Sequence, residues 1–290
     1  MEATSPVDRL LHITDVHFWR IAYNPLRLMN KRFLGNANVA LRRSRHVHLE
    51  HAEAFADHAA ATGIRTVVLG GDFTSTALDE EFALAADFLR GLRERGLNVH
   101  IVPGNHDCYT FEAVRARRFE QHLAEFIPPG GYPARVELPG GTPLILVSTV
   151  CPNVVTSRGR ITDAEIADTL ALVKGAPPGP VIVAGHYPVV HRTETWHSPP
   201  ARQLRNARTF RAALGAAGRP VLYLAGHVHR FSWLDDPEYP DLRHLTTAAF
   251  LLHRPREATA GAFTEAAVCA DGFSAWRHEY RDAWRREPLA

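Results

Sequence analysis

The chain has 290 residues, 46% of them hydrophobic and 22% charged, with a formal net charge of +2. That composition is ordinary for a globular protein and excludes wholesale disorder and fibrous structure, while the small net charge argues against general nucleic-acid binding. No apolar run approaches the ~18 residues of a membrane span, and Cys108, Cys151 and Cys269 are too few and too scattered for a disulfide framework. The N-terminal residues lack the basic start, apolar middle and small-residue cleavage site of a signal peptide, so a cytoplasmic protein is expected.

In chain order, short apolar runs with β-branched residues predict buried strands at 10–14, 66–69, 99–102, 144–148, 181–184 and 221–225. Helices are expected between them at 47–62, 79–95 and 162–174. The first two stop at Gly63 and Gly96, and the third opens with the capping box Thr162–Glu165. The alternation gives an α/β class. Residues 231–233, 242–247 and 263–269 read as antiparallel strands. A single domain over 8–280 is expected, interrupted by an insert at about 18–49 with seven basic residues and no acidic one. Rich also in aromatic and aliphatic residues, this insert reads either as a helical excursion packed on the body or as a basic lip. Such a lip would grip an anionic substrate or touch an anionic membrane.

The chemistry-bearing residues follow the strands. The first run leads into Asp15-Val16-His17, the second into Gly70-Gly71-Asp72, and the third into Pro103-Gly104-Asn105-His106-Asp107. The fifth leads into Gly185-His186 and the sixth into Gly226-His227-Val228-His229. Open α/β sheets bind their ligands at these carboxyl ends. Mixed oxygen and imidazole donors without thiolate suit Zn, Mn or Fe, and disfavour Ca or Mg and iron–sulfur sites. Asp-x-His and His-x-His would each place two donors on one side of an extended segment. The glycines before Asp72, Asn105, His186 and His227 would let the backbone turn so that those side chains converge.

These blocks resemble the calcineurin-like metallophosphoesterases, over residues 11–230. The resemblance implies a four-layer αββα sandwich with a dinuclear metal site at the strand ends. It implies two divalent ions, Mn, Fe or Zn. Asp15, His17 and His229 would hold one, Asn105, His186 and His227 the other, and Asp72 would bridge them. His106 would donate a proton to the leaving group, oriented by Asp107. A water bridging the ions would be the nucleophile, as a hydroxide.

Among the remaining polar residues, Tyr109, His191 and Arg230 are candidate substrate contacts, and His197 could share the rim with His191. His12 reads as a core histidine or a partner of the ligands, Cys108 as a small buried residue, and His46, His48, His51 and His58 as a solvated helix face.

Departures from subfamily patterns narrow the substrate. Gly71-Asp72-Phe73-Thr74-Ser75-Thr76-Ala77 lacks the second Asp and the Arg of the protein phosphatases' Gly-Asp-x-x-Asp-Arg-Gly, and Asp107 stands where they have Glu. His106 replaces the Arg of the lipid A precursor pyrophosphatases. What remains is similar to the bacterial cyclic-nucleotide phosphodiesterase-like group. Hydrolysis of a small phosphodiester is therefore expected, with broad phosphomonoesterase activity, or a metal-binding scaffold without catalysis, as the alternatives.

Overall fold

The structure is a computed structural model and describes residues 7–19, 51–251, 261–269 and 272–289. The basic insert expected at 18–49 lies outside the described residues from Arg20 onward, as do His46 and His48. Strand β1 spans Asp8–Ile13, followed by α1 (His51–Ala61), β2 (Thr66–Leu69), α2 (Asp79–Glu94) and β3 (Asn98–Ile101). Two short helices, α3 (Phe111–Arg115) and α4 (Arg118–Leu123), precede β4 (Ala134–Glu137), β5 (Pro143–Leu146) and β6 (Gly159–Arg160). Then come α5 (Asp163–Lys174), β7 (Val181–Ala184), β8 (Leu204–Arg205), α6 (Ala207–Gly215) and β9 (Val221–Ala225). The chain ends with β10 (Ser232–Asp235), β11 (Leu242–Thr246), β12 (Ala262–Cys269), β13 (Gly272–Tyr280) and β14 (Trp284–Leu289).

Two six-stranded sheets form, ordered β14-β13-β12-β1-β2-β3 and β10-β11-β9-β7-β5-β4, with β6 and β8 as a separate parallel pair. Alternate side chains of the central strands enter two different cores, as a period of two requires. Leu10, Val68, Ile182, Ala184, Leu222 and Leu224 fill the space between the sheets. Their neighbours Leu11, Ile13, Val67 and Leu69 pack with Phe55 of α1 and Phe82 and Leu89 of α2. On the other side, Val181, Val183 and Tyr223 pack with Ile166 of α5 and Phe210 of α6. The result is the expected αββα sandwich, its central strands apolar on both faces because both are covered.

The capping box forms as the sequence implies: Thr162 Oγ1 accepts from the Glu165 backbone N–H at 3.2 Å, and Glu165 accepts the Thr162 N–H at 2.7 Å. The antiparallel expectation for the C-terminal segments holds for β10 with β11 and for β12 with β1 and β13, while β11 also pairs parallel with β9 on its other side. His58 is not on a solvated face. It is half-buried and stacks on Trp284 with ring centroids 5.7 Å apart, so burial lowers its pKa. Among the described residues no helix is long and apolar enough to cross a membrane.

Candidate metal centre

The carboxyl ends of β1, β2, β3, β7 and β9 bring Asp15, His17, Asp72, Asn105, His186, His227 and His229 together at one edge of the two sheets. The loop after β1 runs beside the loop after β2. Asp15 N–H donates to Gly71 O at 2.9 Å and His17 N–H to Asp72 O at 2.9 Å. The extended geometry expected for Asp-x-His and His-x-His is corrected here. Asp15, His17, Asp72, His227 and His229 all have φ between 54° and 66°, in the left-handed region. Such φ values are uncommon outside glycine and cluster at functional sites. Convergence therefore comes from strained turns at the polar residues themselves. Gly104 and Gly226 serve close approach: a Cβ on Gly104 would overlap the nitrogen and Oδ1 of Asp72, and one on Gly226 would overlap Thr14 Oγ1.

Three rings have one nitrogen fixed by a main-chain carbonyl. His186 Nδ1 lies 2.7 Å from Gly70 O, His227 Nε2 lies 3.0 Å from Arg202 O, and His17 Nδ1 lies 3.3 Å from Thr74 O. A carbonyl only accepts, so these nitrogens carry the protons, and the opposite nitrogens present lone pairs to the centre. Burial favours the neutral form of two of these rings: it pushes the His227 pKa down to about 3 and lowers that of His186. His227 Nδ1 then faces Asn105 Oδ1 at 2.8 Å, and His186 Nε2 faces the same oxygen at 3.1 Å. Acceptors converging on one another in this way are what a cation between them would satisfy. The donor set therefore fits a metal ion.

A second set lies alongside. Asp15 Oδ1 is 2.9 Å from His229 Nε2 and 3.8 Å from His17 Nε2. Candidate ligand atoms of Asp15, His17 and His229 all lie within 4.8 Å of one another. Asp72 Oδ2 stands between the sets, 3.9 Å from His17 Nε2 and 3.5 Å from His186 Nε2, the position a shared ligand needs.

The family model for calcineurin-like phosphoesterases matches residues 8–231. The chain belongs to the calcineurin-like phosphoesterase family. Comparison with curated proteins finds no significant match. Among solved structures, a dimetal phosphatase from Danio rerio is similar, with a TM-score of 0.64 at 15% identity, covering 99% of this chain and 100% of that one. A purple acid phosphatase from seeds of yellow lupin (Lupinus luteus) is similar at TM-score 0.60 and 9% identity. There the coverage is 99% of this chain but only 53% of the lupin enzyme. At these identities the likeness shows the fold.

This calcineurin-like phosphoesterase is thus, by family, a dinuclear-metal-dependent phosphoric ester hydrolase, and its candidate ligand atoms fall into two groups about Asp72. The orientation of His106 by Asp107 is corrected. The Asp107 carboxylate is fully engaged elsewhere, accepting from Thr74 N–H at 2.9 Å, Thr74 Oγ1 at 3.1 Å and Gly104 N–H at 2.8 Å. His106 Nδ1 instead meets Ser75 O at 2.6 Å, and its backbone N–H donates to Asp72 Oδ1 at 2.7 Å. Thr74 bridges Asp107 and His106, its hydroxyl also approaching the His106 carbonyl at 3.0 Å. Burial pushes the Asp107 carboxyl up to about 6 against those hydrogen bonds.

An open cleft of about 380 Å³ begins at Asp72, Asn105 and His106 and extends to Ser157, Arg202 and the segment 195–199. Of the sequence-predicted contacts, Arg230 and His197 line it. Tyr109 does not line it; it is buried and stacks on His106, centroids 5.1 Å apart and planes at 14°. His191 is also outside the lining, its carbonyl holding Ser198 N–H at 2.9 Å. His12 is a core histidine, with Nδ1 2.7 Å from Thr247 Oγ1. Cys108 is only partly buried by exposure and lines a different groove.

Sequence reasoning missed Ser157, Thr195, Trp196 and Arg202, which belong to no motif. It also missed Thr149, whose hydroxyl accepts both His186 N–H and Tyr187 N–H at 3.1 Å and so sets the turn after β7. The one available signal was the polar, proline-flanked stretch between His186 and β8.

Proposed function

We propose that the protein hydrolyses a small phosphodiester in the cytoplasm, with two divalent ions of Mn, Fe or Zn held by Asp15, His17 and His229 on one side, Asn105, His186 and His227 on the other, and Asp72 between. When bound, such ions supply Lewis acidity toward a phosphoryl group and activate water at neutral pH. The chain's own residues supply the rest. His106 lines the cleft with Nδ1 anchored on Ser75 O, so Nε2 is the nitrogen that delivers a proton to the departing alkoxide. Tyr109, stacked behind the ring, holds that orientation.

The observation carrying the diester reading is the cleft's extent. Its volume is that of a small-molecule site, and it continues well past His106 and His229 to the wall at 195–202, leaving room for a second ester arm. The segment that carries Asp and Arg in protein phosphatases is used differently here. Ser75 and Thr76 are buried, and Thr76 N–H donates to Glu81 at 2.8 Å. This segment offers no phosphate clamp of that kind, which supports a small substrate over a phosphoprotein.

The test is hydrolysis of bis(p-nitrophenyl) phosphate against p-nitrophenyl phosphate, using metal-stripped protein reloaded with Mn, Zn or Fe. Preference for the diester is expected. Preference for the monoester would replace this reading with a phosphomonoesterase, and two bound ions without turnover of either would favour the scaffold. Contact of the basic insert with an anionic membrane is a separate proposal. Vesicle binding by protein with and without residues 18–49 decides it, since equal binding by both would end the idea.

A further inference from the structure

Among the described residues five large apolar side chains are exposed, and four of them sit on two segments, α3 and the loop that follows Pro152, that each continue from residues lining one groove, Val114 lining it directly. Val114 is 38% exposed and Phe111 51%, while Val154 and Val155 reach 74% and 83%. Phe111 and Val114 lie three residues apart on α3, on one face of the helix. Val154 and Val155 form the tip of a loop closed by Asn153. The Asn153 amide nitrogen donates to Cys151 O at 3.0 Å and Arg158 O at 2.8 Å, and its oxygen accepts from Thr156 Oγ1 at 3.2 Å. The valines are held outward by that ring of bonds.

That groove has a volume of about 710 Å³ and is more apolar than polar, with Phe119, Ile127, Tyr132, Val150 and Pro152 in its walls. Arg117 and Arg160 also line it. Arg115, one turn beyond Phe111, is exposed, and Arg205 reaches the Val154 loop through Asn153 Oδ1 at 3.4 Å. Against these four arginines, Glu120 is the acidic residue of the groove lining, and nearby Glu112 is paired with Arg118 at 2.7 Å. Exposed apolar side chains with arginines on the same segments, beside a partly apolar groove, match the amphipathic profile that an anionic lipid surface takes.

We propose that this face docks on an anionic lipid bilayer, with Val154, Val155, Phe111 and Val114 entering the headgroup region and the groove taking an acyl chain. Docking there sets the metal centre beside the membrane. Cys108 of the metal-bearing loop lines the groove, and Ser157 of the valine loop lines the catalytic cleft.

The test is co-sedimentation of the full chain with phosphatidylcholine vesicles with and without phosphatidylglycerol. Val154→Asp/Val155→Asp and Val114→Asp are compared with wild type, with melting temperature as the check on folding. Binding is expected only with phosphatidylglycerol, weakening as salt rises, and falling about tenfold or more in each variant while the melting temperature holds. No binding to the anionic vesicles, or equal binding to the neutral ones, would overturn the proposal. Undiminished binding by both variants would move the contact to another surface, such as the basic segment 18–49. A dimer in light scattering that Val155→Asp dissociates, without vesicle binding, would assign the face to a second copy of the chain instead.

Discussion

His227 Nδ1 stands 2.8 Å from Asn105 Oδ1 while its other ring nitrogen is held by the Arg202 carbonyl at 3.0 Å. The wall of the cleft thus fixes which nitrogen of this candidate ligand is left with a free lone pair. That couples the shape of the cleft to one half of the candidate metal centre.

Asn105 is therefore the residue whose loss separates the two ions. Asn105→Ala removes the oxygen shared by His186 and His227 but leaves Asp15, His17 and His229 in place. Metal content by elemental analysis is expected to fall from two ions per chain toward one. Activity should drop by at least the ~10–100-fold that weaker perturbations of metal sites cause. Retention of both ions at full activity would contradict the assigned grouping.

His106 and Asp107 should separate in the same assays. His106→Ala is expected to keep both ions and slow turnover by about 10²–10⁴-fold, most for substrates with poor leaving groups. Loss of metal as well would mean that the ring is a ligand. Asp107→Asn turns an acceptor of three hydrogen bonds into a group that also donates. It should cost about 1–3 kcal/mol of stability, because the amide keeps one oxygen and leaves the donors of either Thr74 or Gly104 unsatisfied. Denaturant titration measures it.

Gly226→Ala places a methyl group against Thr14 Oγ1 and close to Asp15 Oδ2. Overpacking of this kind costs about 1–3 kcal/mol. Because the same Asp15 oxygen accepts from His227 N–H at 2.9 Å, the shift should reach both ligand sets. Weaker metal binding together with a lower melting temperature is expected. A change in melting temperature alone would show that the turn yields without moving the carboxylate.

Acid stability should depend on Glu265, buried in β12. Burial pushes its carboxyl upward, but hydrogen bonds from His278, Arg286 and Arg9 outweigh this and hold it well below the usual carboxylate range. A depressed folded-state pKa stabilises the fold above the unfolded value near 4.3 and is lost as pH falls through it. Wild type should therefore lose stability from about pH 5 downward, and Glu265→Gln should show a shallower loss while being less stable at neutral pH. Urea midpoints across that range test the sign.

The central strands were legible because buried strands are continuously apolar: 66–69, 181–184 and 221–225 coincide with β2, β7 and β9. Elsewhere the pattern weakens. Strand β4 reads Ala-Arg-Val-Glu at a sheet edge, β14 carries Arg285, Arg286 and Glu287, and β6 and β8 are two residues each. Edge strands bury one side at most, so their sequences give little periodic signal.

The candidate ligands were legible in the sequence, because short local motifs tie them to five strand ends. What sequence alone could not decide was how those donors are aimed. His106 is anchored by Ser75, 31 residues earlier, and His227 meets Asn105 across 122 residues. The cleft wall at 195–202 and the apolar groove likewise come from loops with no motif. A motif records what one stretch of backbone presents. Proton positions, a cleft's reach and an exposed patch depend on which distant carbonyls and side chains the two packed sheets bring alongside it.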